Sequence, residues 1–132
     1  TTMNDEKSIQ QRLLDTDKIM IKFAAVRIYT LGKYGSWICD EDSPMQNIPI
    51  FSVVVKNRTG AGDTFAAGFL AALWSNLNAA DEFRKLSKEL RKKILKQCAI
   101  YASGAAALKI STGMAPTKDE INTFLNRNNI ID

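Results

Sequence analysis

No histidine occurs anywhere in the 132 residues, and there are only two cysteines, Cys39 and Cys98, far apart and outside any CxxC spacing. Within this chain a Ser-His-Asp triad, a Cys-His pair and a Cys/His zinc site are therefore excluded. The cysteines read as small buried apolar residues of a cytoplasmic protein. No apolar run approaches the roughly 20 residues of a membrane span. The first stretch, Thr1 to Gln11, is polar and mixed in charge, unlike a signal peptide. There is no internal repeat and no low-complexity segment. The length suits one domain with one core, residues 1–132.

What is present is an ordinary globular composition, 45% apolar and 24% charged, with a net charge of +4. Residues 81–96 carry seven basic side chains, from Arg84 through Arg91 to Lys96, against Asp81, Glu82 and Glu89, which accounts for the whole excess. This run reads as a solvated helix face. No aromatics interleave it as a nucleic-acid stacking platform would need.

In chain order, Asp5 to Thr16 predicts a short helix with Ile9 and Leu13 one turn apart. Ala25 to Leu31 alternates and holds Val26, Ile28 and Thr30, so it predicts a strand. Gly32-Lys33-Tyr34-Gly35 is a turn, and Ser36 to Cys39 returns as the second arm of a hairpin. Asp40 to Pro44 reads as a polar loop. Ile48 to Val55 predicts a strand whose run Val53-Val54-Val55 implies burial on both faces. Thr64 to Leu77 has Phe65, Phe69, Leu70, Leu73 and Leu77 at helical spacing, with small residues between them. A further stripe from Phe83 to about Lys109 predicts one long helix or two joined near Ser87. Thr117 and Glu120 form a capping-box pattern ahead of a last helix carrying Ile121, Phe124 and Leu125. The order predicts an α/β layered fold with few strands and several helices. Three strands make a narrow sheet, one expected to continue outside these residues.

Everything turns on Thr59-Gly60-Ala61-Gly62-Asp63, where a strand meets a helix. Glycines let the backbone approach a ligand, and the helix start offers free N–H groups and a positive dipole end. Three readings stand. One is a phosphate loop, although neither a Walker A loop nor a dinucleotide fingerprint, since Gly-Lys-Ser/Thr and the third glycine are missing. Another is a plain turn with Asp63 as a favourable first-turn charge. The third is an interaction module with a basic helix.

Asn57-Arg58-Thr59-Gly60-Ala61-Gly62-Asp63-Thr64-Phe65, with Ala67-Gly68-Phe69-Leu70 behind it, closely resembles the C-terminal signature of the PfkB (ribokinase-like) carbohydrate kinases. Tyr29-Thr30-Leu31-Gly32-Lys33-Tyr34-Gly35-Ser36 resembles that family's Thr-Leu-Gly-x-x-Gly nucleotide segment. The Ala-rich helix, Gly113, Pro116 and the Glu120–Leu125 helix resemble its ending. The resemblance implies the C-terminal portion of a ribokinase-like three-layer αβα fold. It also implies transfer of the γ-phosphate of ATP, with Mg2+, to a sugar or nucleoside hydroxyl.

By that resemblance Asp63 is the base, and the N–H groups of Gly60, Ala61 and Gly62 form the anion hole. Thr30, Gly32, Gly35, Gly62 and Ala102 line the nucleotide. Lys33 reads as a solvated turn lysine or a phosphate contact. A monovalent cation such as K+ would sit at Asn57, Thr59, Leu108, Ser111, Gly113 and Thr117, with Asn57 in place of the usual Asp. The family's Asn-x-x-Glu motif corresponds to Asn4-Asp5-Glu6-Lys7, where Lys7 replaces the Glu. The sugar-binding N-terminal half and the lid have no counterpart in these residues. The alternative is a catalytically inactive remnant that binds nucleotide or pairs as a homodimer. Neither nucleic acid nor membrane is an expected partner.

Overall fold

Residues 27–48 form an antiparallel meander in the computed structural model, which describes residues 3–77 and 80–128. Its strands are β1 (Arg27–Thr30), β2 (Ser36–Asp40) and β3 (Ser43–Ile48), in the order β1-β2-β3. Ile28 lies opposite Ile38 and Tyr29 opposite Trp37, while Ser36 lies opposite Ile48. Side chains alternate across a strand. Thr30, Ile28, Ser36, Ile38 and Ile48 therefore share one face, and Arg27, Tyr29, Trp37 and Cys39 the other.

Helices cover both faces. They are α1 (Met3–Met20), α2 (Ala61–Asn76), α3 (Ala80–Lys85), α4 (Lys88–Thr112) and α5 (Lys118–Arg127). Helix α1 is tied to the Tyr29 face through Asp17, which accepts from Arg27 Nε at 2.5 Å and Tyr29 OH at 2.7 Å. Helix α4 takes the other face. There Ile38 and Ile48 join Ile94, Leu95, Cys98, Ala99 and Ala102 in the core, with Phe65 and Phe69 brought in by α2. Small residues let α2 and α4 approach closely: a Cβ on Gly68 would lie 3.3 Å from Ala105 Cβ and 3.4 Å from Ala102 Cα. The result is an α/β layering of helices on both faces of a narrow sheet.

Several boundaries differ from the sequence reading. Residues 40–44 are not a loop throughout. The Asp40 carboxylate accepts from Asp42 N–H at 3.0 Å, and this tight turn starts β3 at Ser43, with Pro44 early in a strand at the edge of the meander. The predicted strand Ile48–Val55 ends where it was to begin. Pro49 lacks the N–H needed to continue the ladder, and among the described residues no strand lies beside 50–55. The expected burial of the valine run fails with it, since Val54 is 88% exposed. Of the two forms expected for the Phe83–Lys109 stripe, the structure has the second: two helices meet at Ser87, whose side chain caps α4 by accepting from Leu90 N–H at 3.3 Å.

The basic run is not uniformly solvated either. Arg91 turns inward, donating to Asp40 Oδ2 at 2.9 Å, to the Asp42 carboxylate and to Leu86 O at 2.8 Å. Arg91 therefore ties α4 to the β2–β3 turn. A carboxylate buried beneath it meets a guanidinium that can donate from several nitrogens at once.

Candidate active site

Three segments enclose a cavity of about 480 Å3. One wall is the β1–β2 turn, with Thr30, Gly32, Lys33, Gly35 and Ser36. A second is the extended stretch Ile50–Val55. The third is the start of α2, with Arg58, Ala61, Gly62 and Phe65, closed off by Ser103, Ala106, Ala107 and Ile110 of α4. Gly35 makes the first wall possible. Its φ of 80° and its close approach to the Ile48 carbonyl leave no room for a Cβ. Phe51 is held edge-to-face by Phe124 of α5, with ring centroids 5.2 Å apart.

The Gly turn is built by local hydrogen bonds. Asn57 Oδ1 accepts from Thr59 N–H at 2.9 Å. Gly60, at φ 80°, sits just before α2 and accepts from Thr64 N–H at 2.9 Å. The backbone N–H groups of Lys56 and Asn57 both donate to Ile110 O, at 2.9 and 3.0 Å, which pins this loop onto the end of α4. Asp63 stands in the first turn of α2, exposed, where the dipole favours a carboxylate.

The structure thus brings Thr30, Gly32, Gly35, Ala61 and Gly62 to one cavity, with Gly60 and Asp63 flanking them in sequence. Two expectations change. The Ala61 N–H is not free for an anion hole, because it donates to Arg58 O at 3.3 Å; no acceptor among the described residues takes the N–H of Gly60 or Gly62. Ala102 does not line this cavity, because it is fully buried against α2. The face of α4 turned to the cavity is one residue on: Ser103, Ala106, Ala107 and Ile110 follow i, i+3, i+4, i+7. That spacing was present in the sequence and could have selected this face over Ala102. Ser36, the last residue of the segment matched to the nucleotide motif though not one expected to line the nucleotide, also lines the cavity. Its Oγ is buried with no hydrogen-bond partner among the described residues.

At the six positions expected to hold a monovalent cation, four present oxygens that already accept hydrogen bonds. Asn57 Oδ1 and Thr117 Oγ1 each accept a backbone N–H, from Thr59 and Glu120. Leu108 O accepts from Ser111 Oγ and Thr112 Oγ1 at 3.2 and 2.8 Å. Gly113 O accepts from the Lys109 ammonium at 2.8 Å. Most of the oxygens are engaged inside the protein, one of them by a positive charge. The Asn4 side chain lies outside the described residues, so the Asn4-x-x-Lys7 motif has no described geometry.

The perturbed titrating groups belong to the framework rather than to the cavity. Burial first, and then Asp17, push the Tyr29 phenol up to about 12. Burial pushes the Cys98 thiol up to about 11. No group of three or more acidic, His or Cys side chains able to hold a metal occurs among the described residues. No helix there is long and apolar enough to cross a membrane.

The layering of helices on a small sheet is shared with ribokinase-like structures. The chain superposes on the ribokinase of Giardia lamblia with a TM-score of 0.69 at 23% identity, over 92% of this chain and 37% of that one. The Salmonella enterica aminoimidazole riboside kinase, solved with aminoimidazole riboside and an ATP analog, gives 0.59 at 26% identity, over 76% of this chain and 31% of that one. In sequence the chain is 37% identical over 71 residues to the ribokinase of Lactococcus lactis subsp. lactis (strain IL1403), covering 54% of this chain. It spans only 23% of that relative's length. The profile of the pfkB family carbohydrate kinases matches residues 3–121, and the chain belongs to that family.

Proposed function

We propose that residues 1–132 are one domain, the phosphate-handling C-terminal part of an ATP-dependent kinase acting on a sugar or nucleoside hydroxyl. The observation that carries this reading is the cavity itself, which joins the Thr30–Ser36 wall to the start of α2 one residue from Asp63. In this reading the Asp63 carboxylate takes the proton of the substrate hydroxyl as its oxygen attacks the γ-phosphorus; ADP leaves with the electron pair of the broken bond. The N–H groups of Gly60 and Gly62 and the dipole of α2 stabilise charge on the transferring group. Arg58 and Lys33, both at the cavity, supply positive charge for the phosphates. The small side chains Ser103, Ala106 and Ala107 offer a flat wall for a planar base. Mg2+ would be held mainly by the ATP phosphates, where it would neutralise their charge.

The test is γ-phosphate transfer to a sugar and nucleoside panel, in a kinase carrying this chain as its C-terminal part, wild type against Asp63→Asn. A base role predicts a rate loss of at least about tenfold. ATP affinity, measured by titration calorimetry, should be little changed. A smaller rate loss refutes the base.

A second reading is favoured by the exposure of Val54, Leu70 and Trp74, at 88, 64 and 72%. In it, this chain alone binds nucleotide without turnover and covers its apolar surface by pairing with a second copy. Turnover by the isolated chain eliminates that reading.

A further inference from the structure

The end of α4 carries an arrangement that the nucleotide reading does not use. Lys109, in the last turn, sends its ammonium to Gly113 O at 2.8 Å, so the charge sits at the negative end of the helix dipole. On its way the side chain crosses the Gly turn: a Cβ on Gly60 would lie 3.3 Å from Lys109 Cε. Lys109 therefore spans from the α4 terminus to the residue that precedes α2. Lys56 lies close as well, its Cδ 3.8 Å from where a Gly113 Cβ would be.

These contacts fall among the positions where a monovalent ion was expected. Asn57 there has no charge to offer an ion, so less holds a metal cation against the ammonium at Gly113 O. A metal cation at this place would face a fixed ammonium and would have to displace it from Gly113 O. Like charges at such separations disfavour joint occupancy.

We propose that Lys109 is a built-in cation. Its ammonium takes the place of a monovalent metal ion between the α4 terminus and the Gly60 turn, so this chain neither binds nor needs potassium there. Lys109 is a positioning residue: it holds the turn that presents Gly60 and Gly62, and does not touch the reacting atoms. The link to nucleotide affinity rests on the function proposed above; the claim about potassium does not.

The first experiment uses potassium alone as the probe. Thermal unfolding is followed at constant ionic strength while potassium chloride replaces tetramethylammonium chloride, because an ion that binds only the folded state raises the midpoint saturably. Wild type should show no saturable rise, and Lys109→Ala should acquire one. A saturable rise in wild type overturns the proposal, and so does a Lys109→Ala chain that matches wild type in both salts. In the second experiment ATP is titrated into each. Wild type should bind equally in the two salts. Lys109→Ala should lose at least about fivefold in tetramethylammonium and recover in potassium. If neither chain binds ATP in any salt, the nucleotide reading fails while the potassium titration still decides the role of Lys109.

Discussion

Gly32 and Gly35 belong to the same turn, and replacing each by alanine separates two costs that usually arrive together. Both have positive φ, 52° and 80°. An L side chain there costs about 1–2 kcal/mol for conformation alone. Only Gly35 is crowded. An added Cβ would fall on the Ile48 carbonyl oxygen and lie 3.2 Å from both Ile48 C and Pro49 Cα, whereas at Gly32 nothing lies within 4 Å. The crowding atoms are backbone and cannot rotate away, which adds about 1–3 kcal/mol of overpacking. Gly35→Ala should therefore cost about 2–5 kcal/mol, against about 1–2 for Gly32→Ala. Urea titration followed by Trp fluorescence and circular dichroism measures both. Gly35→Ala should also weaken ATP binding more, because a shift of Ile48 and Pro49 carries Ile50 and Phe51 of the cavity wall with it. Equal costs within about 0.5 kcal/mol would show that the contact with β3 does not hold the turn.

Acid should unfold the chain through its internal ion pairs. Burial by itself would raise the carboxyls of Asp17 and Asp40; Arg27 and Tyr29 at the first, and Arg91 at the second, outweigh it and hold both below the usual 3.8. A folded value below the unfolded one gives stability that is complete above 3.8 and is lost as pH falls through the folded values. The urea midpoint should be flat from neutrality to that point and then drop, less steeply in Asp40→Asn; a drop already complete at pH 5 would contradict the assignment. Thr117→Ala removes the side chain that caps α5 and accepts from Glu120 N–H at 3.2 Å. It should cost about 0.5–2 kcal/mol. Hydrogen exchange should speed up within Lys118–Arg127, and no such change would mean that packing of Leu125 and Phe124 holds the helix unaided.

The helices were readable because their signals are local. The spacing of Phe65, Phe69 and Leu73, the Thr117–Glu120 box and the serine before Leu90 each act within a few residues. The hairpin from Arg27 to Cys39 was readable for the same reason. The third strand was not, because Ser43-Pro44-Met45-Gln46-Asn47 has no alternating pattern; it is a strand because β2 offers it a ladder. The valine run misled in the opposite sense. Its composition states a preference for burial, while burial depends on neighbours that a single segment does not encode. At the candidate site the Gly turn and the Thr30–Gly35 wall announced themselves through glycine. Ala102 was chosen over its neighbours without the helix phase that separates the core face from the cavity face. Arg91 looked like surface charge, and only the fold supplies Asp40 as its partner.

The stretch from Ile50 to Val55 has a consequence for handling the molecule. It is apolar, extended and β-branched, and its backbone has no ladder among the described residues. Such a segment can accept a strand from another molecule, adding edge to edge without limit. Pro49 and Lys56 stand at its two ends as gatekeepers, one unable to donate and the other charged. Raising the concentration of the chain should therefore favour association through these six residues, none of which belongs to its core cluster.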